Sequence, residues 1–253
     1  MSLARPALWR SFWRCFFLQA AWNRRGMQNL GFAYAIDPAL RALYPDPERR
    51  RAALARHLGF FNCHPYMAAA ILGGAIHHEE RVARGQEPPG SAVAYKSALQ
   101  GPLAAVGDGF FWTALRPFAG ALAAAGALLL GWPAVLAALL LYNGVALSLR
   151  VRLFRQGYLR GDAVVEPIGS LDLPRLAGGL RLGAAALCGL AAALVVRRAG
   201  ASLGAEGWVL AAGAAVAGER ALARGAALLP LASASLGAGL LLGVLSSRWQ
   251  GGP

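Results

Sequence analysis

The stretch LGFFNCHPYMAAAILGGAI, residues 58 to 76, decides the fold class. It is long and apolar enough to cross a bilayer, for which a helix needs about 20 residues. Asn62, His64 and Pro65 interrupt it, and a continuous lipid-facing helix would leave their polar groups and the freed backbone without partners. The stretch therefore predicts irregular backbone that is buried in protein or lines a watery cavity within a membrane.

The composition of the whole chain is also typical of a membrane protein. Of its 253 residues, 57% are hydrophobic and 15% are charged, against about 25% charged in ordinary soluble domains. The mean hydropathy is +0.46. The formal net charge of +13 comes almost wholly from arginine, since Lys96 is the only lysine. Because the arginines are scattered between apolar runs, they indicate the flanks of membrane segments and argue against nucleic-acid binding.

The first 56 residues predict an amphipathic, interfacial helical region. Aromatic residues recur at helical spacing from Trp9 to Phe17, with arginines between them. Two placements stay open, one along the membrane surface with the aromatics at headgroup level and one packed on the rest of the protein. Arg10 and Arg14 interrupt the apolar run before a signal-peptide core forms, so we expect a mature N-terminus.

A second interrupted stretch, ALQGPLAAVGDGFFWTALR, covers residues 98 to 116. Two such stretches predict re-entrant hairpins, and the fold class we expect is an all-α integral membrane protein with several transmembrane helices. Prolines and glycines at GWP, residues 131 to 133, predict a break between two helices. The predicted membrane domain covers residues 57 to 253, with re-entrant core segments at 57–116 and membrane spans at 117–149 and 180–246.

Three polar side chains in the interrupted stretches are candidates for a binding site. Asn62 and His64 offer donors and acceptors together, which suits a polyhydroxylated ligand, whereas the plainer alternative is hydrogen bonding to backbone freed by Pro65. A carboxylate such as Asp108 costs about 2.5 to 3.5 kcal/mol in a membrane segment. It therefore predicts either a functional group or an ion pair with Arg116, two helical turns on.

The motif IHHEE, residues 76 to 80, contains only metal-ligand side chains after its isoleucine. Its spacing does not match the helical zinc motif, which places two histidines four residues apart on one face. We therefore interpret it as a polar cap on a helix.

The three cysteines form no Cys-x-x-Cys pair, and the chain has no G-x-S-x-G or Walker-type loop. No metal, cofactor or catalytic residue is predicted.

Four motifs, in this order, closely resemble the IID component of the mannose/fructose/sorbose family of the bacterial sugar phosphotransferase system. They are FFLQAAWNRRGMQNLGFAYAIDPALRALYP, RHLGFFNCHPYMAAAILG, GPLAAVGDGFFWTALRP and GYLRG. The resemblance covers roughly residues 9 to 161. The chain departs from the family at Cys63, which is usually threonine, and at Gly109, which is more often serine or proline.

The resemblance implies a transport subunit and not an enzyme. A IID component is a multi-pass protein of the bacterial inner membrane that forms, with a IIC subunit, the pathway for mannose-class hexoses. The implied assembly is a trimer of IIC–IID heterodimers in the lipid bilayer. Phosphoryl transfer to the sugar belongs to the IIA and IIB phosphocarriers, and Arg150, Arg152 and Arg155 become candidates for the surface that docks IIB. The alternative is a regulatory or scaffold membrane protein that descends from this family and no longer transports.

The resemblance also assigns residues to the site. Trp112 supplies a flat face that stacks on a pyranose ring, although packing against a neighbouring helix is the commoner use of a tryptophan. The predicted substrate-binding residues are Asn62, His64, Asp108 and Trp112. The predicted structural or gating residues are Pro65, Gly101, Pro102, Gly107 and Arg116.

Overall fold

A computed structural model of the chain describes residues 3 to 223, and the regular structure of that range is helical. The helices are α1 Arg5–Arg14, α2 Asn29–Leu43, α3 Pro47–Arg56, α4 Ala68–Ala83, α5 Ser91–Gly107, α6 Arg116–Leu130, α7 Trp132–Arg160, α8 Val165–Gly169 and α9 Leu173–Ala223. By compactness the chain divides into Met1–Ala191 and Ala192–Pro253. The core and the site described below belong to the first unit. The part of the predicted span 180–246 that follows Ala223 lies outside the described residues.

Helix α3 has a capped N-terminus, and α1 has an apolar face that packs on the protein. Pro47 opens α3, and the Asp46 side chain accepts a hydrogen bond of 2.8 Å from the Arg49 amide. Helix α1 packs against α2. Its buried Phe12 contacts Phe154 of α7, whereas Trp9 and Trp13 are exposed. The N-terminal region is helical, and its placement at a membrane interface stays a prediction. Packing on the protein accounts for one face of α1, and the aromatic face stays free for a membrane surface.

Three helical stretches in the described chain are long and apolar enough to cross a membrane: Ser91–Leu130, Trp132–Gly169 and Leu173–Arg198. Many of their large apolar side chains are exposed, as lipid-facing residues are, and Trp132 is 75% exposed. Gly131 has φ 76°, a left-handed conformation that glycine adopts without strain, and it separates α6 from α7. The all-α membrane architecture and the break at GWP are confirmed.

The two interrupted stretches differ in structure. Irregular backbone precedes α4 at Asn62 to Pro65, as predicted. The second stretch continues as helix through Gly101 and Pro102, where the sequence predicts a break. The chain accommodates the irregular composition with a π-helical segment, Asp108–Leu115, because wider i→i+5 turns absorb an extra residue without ending the helix.

Helix α4 lies at the centre of the first unit and is surrounded by protein. Its residues from Ala68 to Ile76 are all buried. Helices α4 and α7 touch backbone to backbone at two glycines. A Cβ atom on Gly73 would lie 2.2 Å from the Phe154 carbonyl oxygen, and one on Gly157 would lie 2.1 Å from the Ala70 carbonyl oxygen. The alanine and glycine content of these segments therefore serves close helix packing.

Candidate functional site

The loop before α4 brings His64 into an aromatic cluster. The imidazole is buried and stacks on Phe111, with ring centroids 4.8 Å apart and planes 9° apart, and it lies 5.0 Å from Trp112. The Tyr66 amide donates to Nδ1 over 3.3 Å. An accepting Nδ1 places the proton of a neutral ring on Nε2, and Nε2 is buried with no partner in the described chain. Through its ring contacts, His64 holds the aromatic side chains around it in position.

Gly107 is where the π-helical turn meets this loop. A Cβ atom at Gly107 would lie 2.4 Å from the His64 Cβ, so only glycine allows the observed approach. Neither Gly101 nor Gly109 has another group within 4 Å of such an atom. Of these three glycines, Gly107 alone is required by the packing, and the departure from the family at Gly109 costs no contact.

Asn62 and Asp108 are both exposed beside the loop. The backbone amide of Asn62 donates a hydrogen bond to Gln100 Oε1 over 3.1 Å, which connects the loop to α5. Within the described residues, no ion pair joins Asp108 to Arg116, whose guanidinium lies 5.4 Å from the Trp112 ring centre instead. The structural ion pair considered for Asp108 is thus not formed, and its carboxylate is free to meet a ligand.

Gln28 holds the loop from the other side and was not singled out from the sequence. Its side-chain amide is buried, donates to the Cys63 carbonyl oxygen over 2.9 Å and accepts from the Cys63 amide over 3.0 Å. Burial raises the pKa of the Cys63 thiol to about 12, and the nearby charge of Asp108 adds to the rise. Cys63 is therefore a packed thiol with little nucleophilic character.

Two cavities open on either side of Trp112. One, of about 390 Å³, is lined by Pro65, Tyr66, Asn143 and neighbouring side chains, and the other, of about 490 Å³, extends along α6 and α7 past Arg116. Both volumes are in the range of small-molecule sites. Trp112 is 39% exposed, so part of its ring faces these spaces. Asn62, His64 and Asp108 are not among the residues that line the two cavities.

Arg150 is a site residue that sequence reasoning placed wrongly. It was predicted on a docking surface, but it is 4% exposed and lines the 390 Å³ cavity. Its Nη2 donates to the Pro65 carbonyl oxygen over 3.0 Å, and its guanidinium lies 4.2 Å from the Phe16 ring centre and 4.7 Å from that of Tyr66. No carboxylate in residues 3 to 223 pairs with it. The aromatic faces and one carbonyl replace a counter-ion.

The IHHEE motif is not the polar cap that the sequence predicts, because its glutamates are buried and paired. Glu79 accepts from Arg56 Nε over 2.7 Å, from His57 Nε2 over 2.8 Å and from the Tyr44 hydroxyl over 2.8 Å. Burial opposes ionisation, but the hydrogen bonds from Arg56 and His57 outweigh it and lower the pKa of Glu79 to about 2. Buried Lys96 donates to the His57 carbonyl oxygen over 3.2 Å. The motif is the centre of a structural ion network.

Comparisons with known proteins agree with the resemblance. Residues 2–208 match the family model described as PTS system mannose/fructose/sorbose family IID component. The PTS system mannose-specific EIID component of Escherichia coli K12 is 40% identical over 170 residues, which cover 66% of this chain and 60% of that protein. The Fructose permease IID component of Bacillus subtilis is 33% identical over 178 residues, which cover 70% of this chain and 65% of that protein.

A solved structure shares the fold. A chain of the cryo-electron microscopy structure of the mannose transporter ManYZ with microcin E492 aligns at a TM-score of 0.61 and 36% identity, covering 76% of this chain and 70% of that one. The chain spans about 60% of the length of the E. coli relative. The family model matches most of the sequence, and the solved structure resembles this chain in both fold and sequence. This chain therefore belongs to the IID component family of the mannose/fructose/sorbose phosphotransferase system.

Proposed function

We propose that this chain is the IID subunit of a sugar permease and forms, with a IIC subunit, the pathway for mannose-class hexoses. The observation that carries the proposal is the pair of cavities around Trp112, walled by membrane helices and supplied with amide, hydroxyl and guanidinium groups. A pathway for a polyhydroxylated solute needs polar groups beside a flat apolar face. The relatives are named for mannose, fructose and sorbose, and these names support the same class of solute.

The proposed subunit positions sugar and does not transfer phosphoryl groups itself. Phosphorylation is assigned to a IIB phosphocarrier that receives the group from IIA, and the assembly is a trimer of IIC–IID heterodimers. Exposed Arg152 at the basic end of α7 is the proposed contact for IIB, since Arg150 is buried and Arg155 lines a groove between α7 and α1.

Within the site, the proposed roles follow from exposure and contacts. Trp112 offers its ring to sugar in the two cavities. Asn62 and Asp108, which are exposed but do not line these cavities, are the proposed contacts for sugar hydroxyls outside them. His64 is a positioning residue that fixes the Trp112 and Tyr66 rings. Pro65 and Gly107 hold the loop in place, and Gly101, Pro102 and Arg116 belong to the helix whose movement would gate the pathway.

The first expected result concerns uptake. The chain is co-expressed with a IIC subunit of the same family and with IIA and IIB in cells lacking a mannose permease, and uptake of labelled mannose is measured. Asp108→Ala should lower uptake about tenfold or more, because a hydrogen bond to a charged group contributes about 1.5 to 3 kcal/mol. Trp112→Ala should also lower uptake, because it removes the flat face that both cavities share. Trp132→Ala is the matched control, since Trp132 is 75% exposed at the turn between α6 and α7.

Full uptake by Asn62→Ala and Asp108→Ala together would count against the site, while leaving the transport function intact. Failure of the wild-type chain to support uptake with a complete set of components would favour the scaffold alternative.

The second expected result isolates the contact between Gly107 and His64. Gly107→Ala should lower uptake by about tenfold or more, because the new Cβ collides with the His64 Cβ and displacements near 1 Å can cost about 100-fold in activity. Gly109→Ala should keep uptake within about twofold of wild type, because open space surrounds that position. Equal uptake by the two variants, at equal amounts in the membrane, would show that the His64 position is unimportant.

A further inference from the structure

Helices α1 and α7 leave a groove between them that the proposed sugar site does not use. Its volume is about 440 Å³. The walls are apolar, with Leu8, Trp9 and Phe12 contributed by α1 and with Val151 and Leu159 contributed by α7. Trp9 is 53% exposed and Leu159 is 57% exposed, so the groove is accessible from the surface of the first unit.

Two arginines give this apolar groove an uncompensated positive charge. Arg5 and Arg155 both line it and both are exposed. Neither forms an ion pair or hydrogen bond within the described part of the chain. Tyr158, which also lines the groove, donates to Glu80 over 2.8 Å, and Arg84 neutralises that carboxylate. The groove therefore combines hydrocarbon walls with two cations that lack an anion.

The position of Arg155 along α7 matches the headgroup layer of a membrane. The apolar part of α7 runs from Trp132 to Leu149, which is about 27 Å at 1.5 Å per residue and close to the thickness of a hydrocarbon core. Arg155 lies about 9 Å beyond Leu149 by the same rise. Exposed Trp9 and Trp13 on α1 are of the type that collects at the membrane–water boundary.

We infer that this groove binds one anionic phospholipid, which joins α1 to α7. The lipid phosphate accepts hydrogen bonds from Arg5 and Arg155, and the adjoining acyl chain lies along Leu8 and Val151. Charge complementarity selects an anionic lipid, because a zwitterionic headgroup adds a cation beside the two arginines. The inference does not depend on sugar transport, and a chain that failed to transport would still bind the lipid.

Quenching of tryptophan fluorescence by brominated acyl chains tests the inference. The full chain is purified in detergent, freed of lipid and titrated with brominated phosphatidylglycerol or brominated phosphatidylcholine of the same chain length. The difference between wild type and Trp9→Phe gives the signal of Trp9. We expect saturable quenching by phosphatidylglycerol at concentrations at which phosphatidylcholine has no saturable effect.

Matched double variants locate the anion. Arg5→Gln with Arg155→Gln should weaken phosphatidylglycerol binding about 30-fold, from about 1 kcal/mol for each arginine. Arg10→Gln with Arg152→Gln removes the same charge from the same two helices but from residues that do not line the groove. This control should bind within about twofold of wild type.

Three results would overturn the inference. The first is equal weakening by both double variants, which indicates non-specific attraction. The second is displacement of the lipid by millimolar inorganic phosphate, which indicates a site for a small anion. The third is loss of Trp9 quenching when the chain is bound to its IIC subunit, which indicates that a protein covers the groove.

Discussion

Glu79→Ala should lower the free energy of unfolding by about 3 to 5 kcal/mol, the range observed when one partner of a buried ion pair is removed. Glu79 has no exposed side-chain surface, and the side chain of Arg56 is only 18% exposed. Without the carboxylate, Arg56 and the Tyr44 hydroxyl lose their acceptor, and buried His57 loses the partner of its Nε2. Unfolding of the purified chain in detergent, followed by circular dichroism, measures the loss.

Glu48→Ala is the matched control for this experiment. Glu48 pairs with Arg51, and their side chains are 77% and 71% exposed. Because exposed pairs contribute about 1 kcal/mol or less, this variant should unfold close to wild type. A Glu79→Ala variant as stable as the Glu48→Ala variant would mean that the Glu79 network does not hold α3 and α4 together.

The stability from Glu79 should also depend on pH in a defined direction. Its folded-state pKa of about 2 lies below the ordinary value of 4.5, so the contribution is complete above pH 4.5 and is lost as the pH falls through about 2. The wild-type chain should therefore lose stability between these values, and Glu79→Gln should lose less over the same interval. Unfolding measured at several pH values in one detergent gives the comparison.

The elements that follow from local composition could be predicted from the sequence. Gly131, followed by Pro133, predicts the end of one helix and the start of the next, and the irregular backbone at Asn62 and Pro65 follows from residues that do not suit a lipid-facing helix. The second interrupted stretch behaves differently. Helices within membranes tolerate proline and glycine where neighbouring groups satisfy the backbone, and composition alone does not distinguish a π-helical segment from a break.

The residues that sequence reasoning missed depend on long-range partners. Arg150 lies in the same basic run of sequence as exposed Arg152, so the sequence does not distinguish them. Only the fold brings Arg150 between Phe16 and Tyr66, which are distant in sequence. Glu79 receives its partners from α3 and from the end of α2, so the sequence of IHHEE does not identify which residues pair with it. A histidine–glutamate cluster inside an apolar helix is nevertheless costly unless it is paired, which is a signal for a buried network.

Gly157→Ala should destabilise the first unit by about 2 to 3 kcal/mol, the upper part of the range for overpacking, although alanine favours a helix over glycine by about 1 kcal/mol. The added Cβ would lie 2.1 Å from the Ala70 carbonyl oxygen and 3.0 Å from the Gly74 amide nitrogen. Both neighbours are backbone atoms, which cannot rotate away as a flexible side chain does. Helices α4 and α7 must therefore separate, and the contacts along their whole shared face are weakened.

Gly144→Ala provides the control, because Gly144 is in the same helix and no other group lies within 4 Å of its added Cβ. It should be neutral or more stable by up to about 1 kcal/mol, the helix-propensity gain. Opposite signs for the two alanine variants in one unfolding assay would attribute the effect to the α4–α7 contact. A Gly157→Ala variant that unfolds like Gly144→Ala would show that the two helices do not meet as closely as the structure places them. Since the same face of α7 holds Arg150 against the Pro65 carbonyl, separation of α7 from α4 should also reduce sugar uptake.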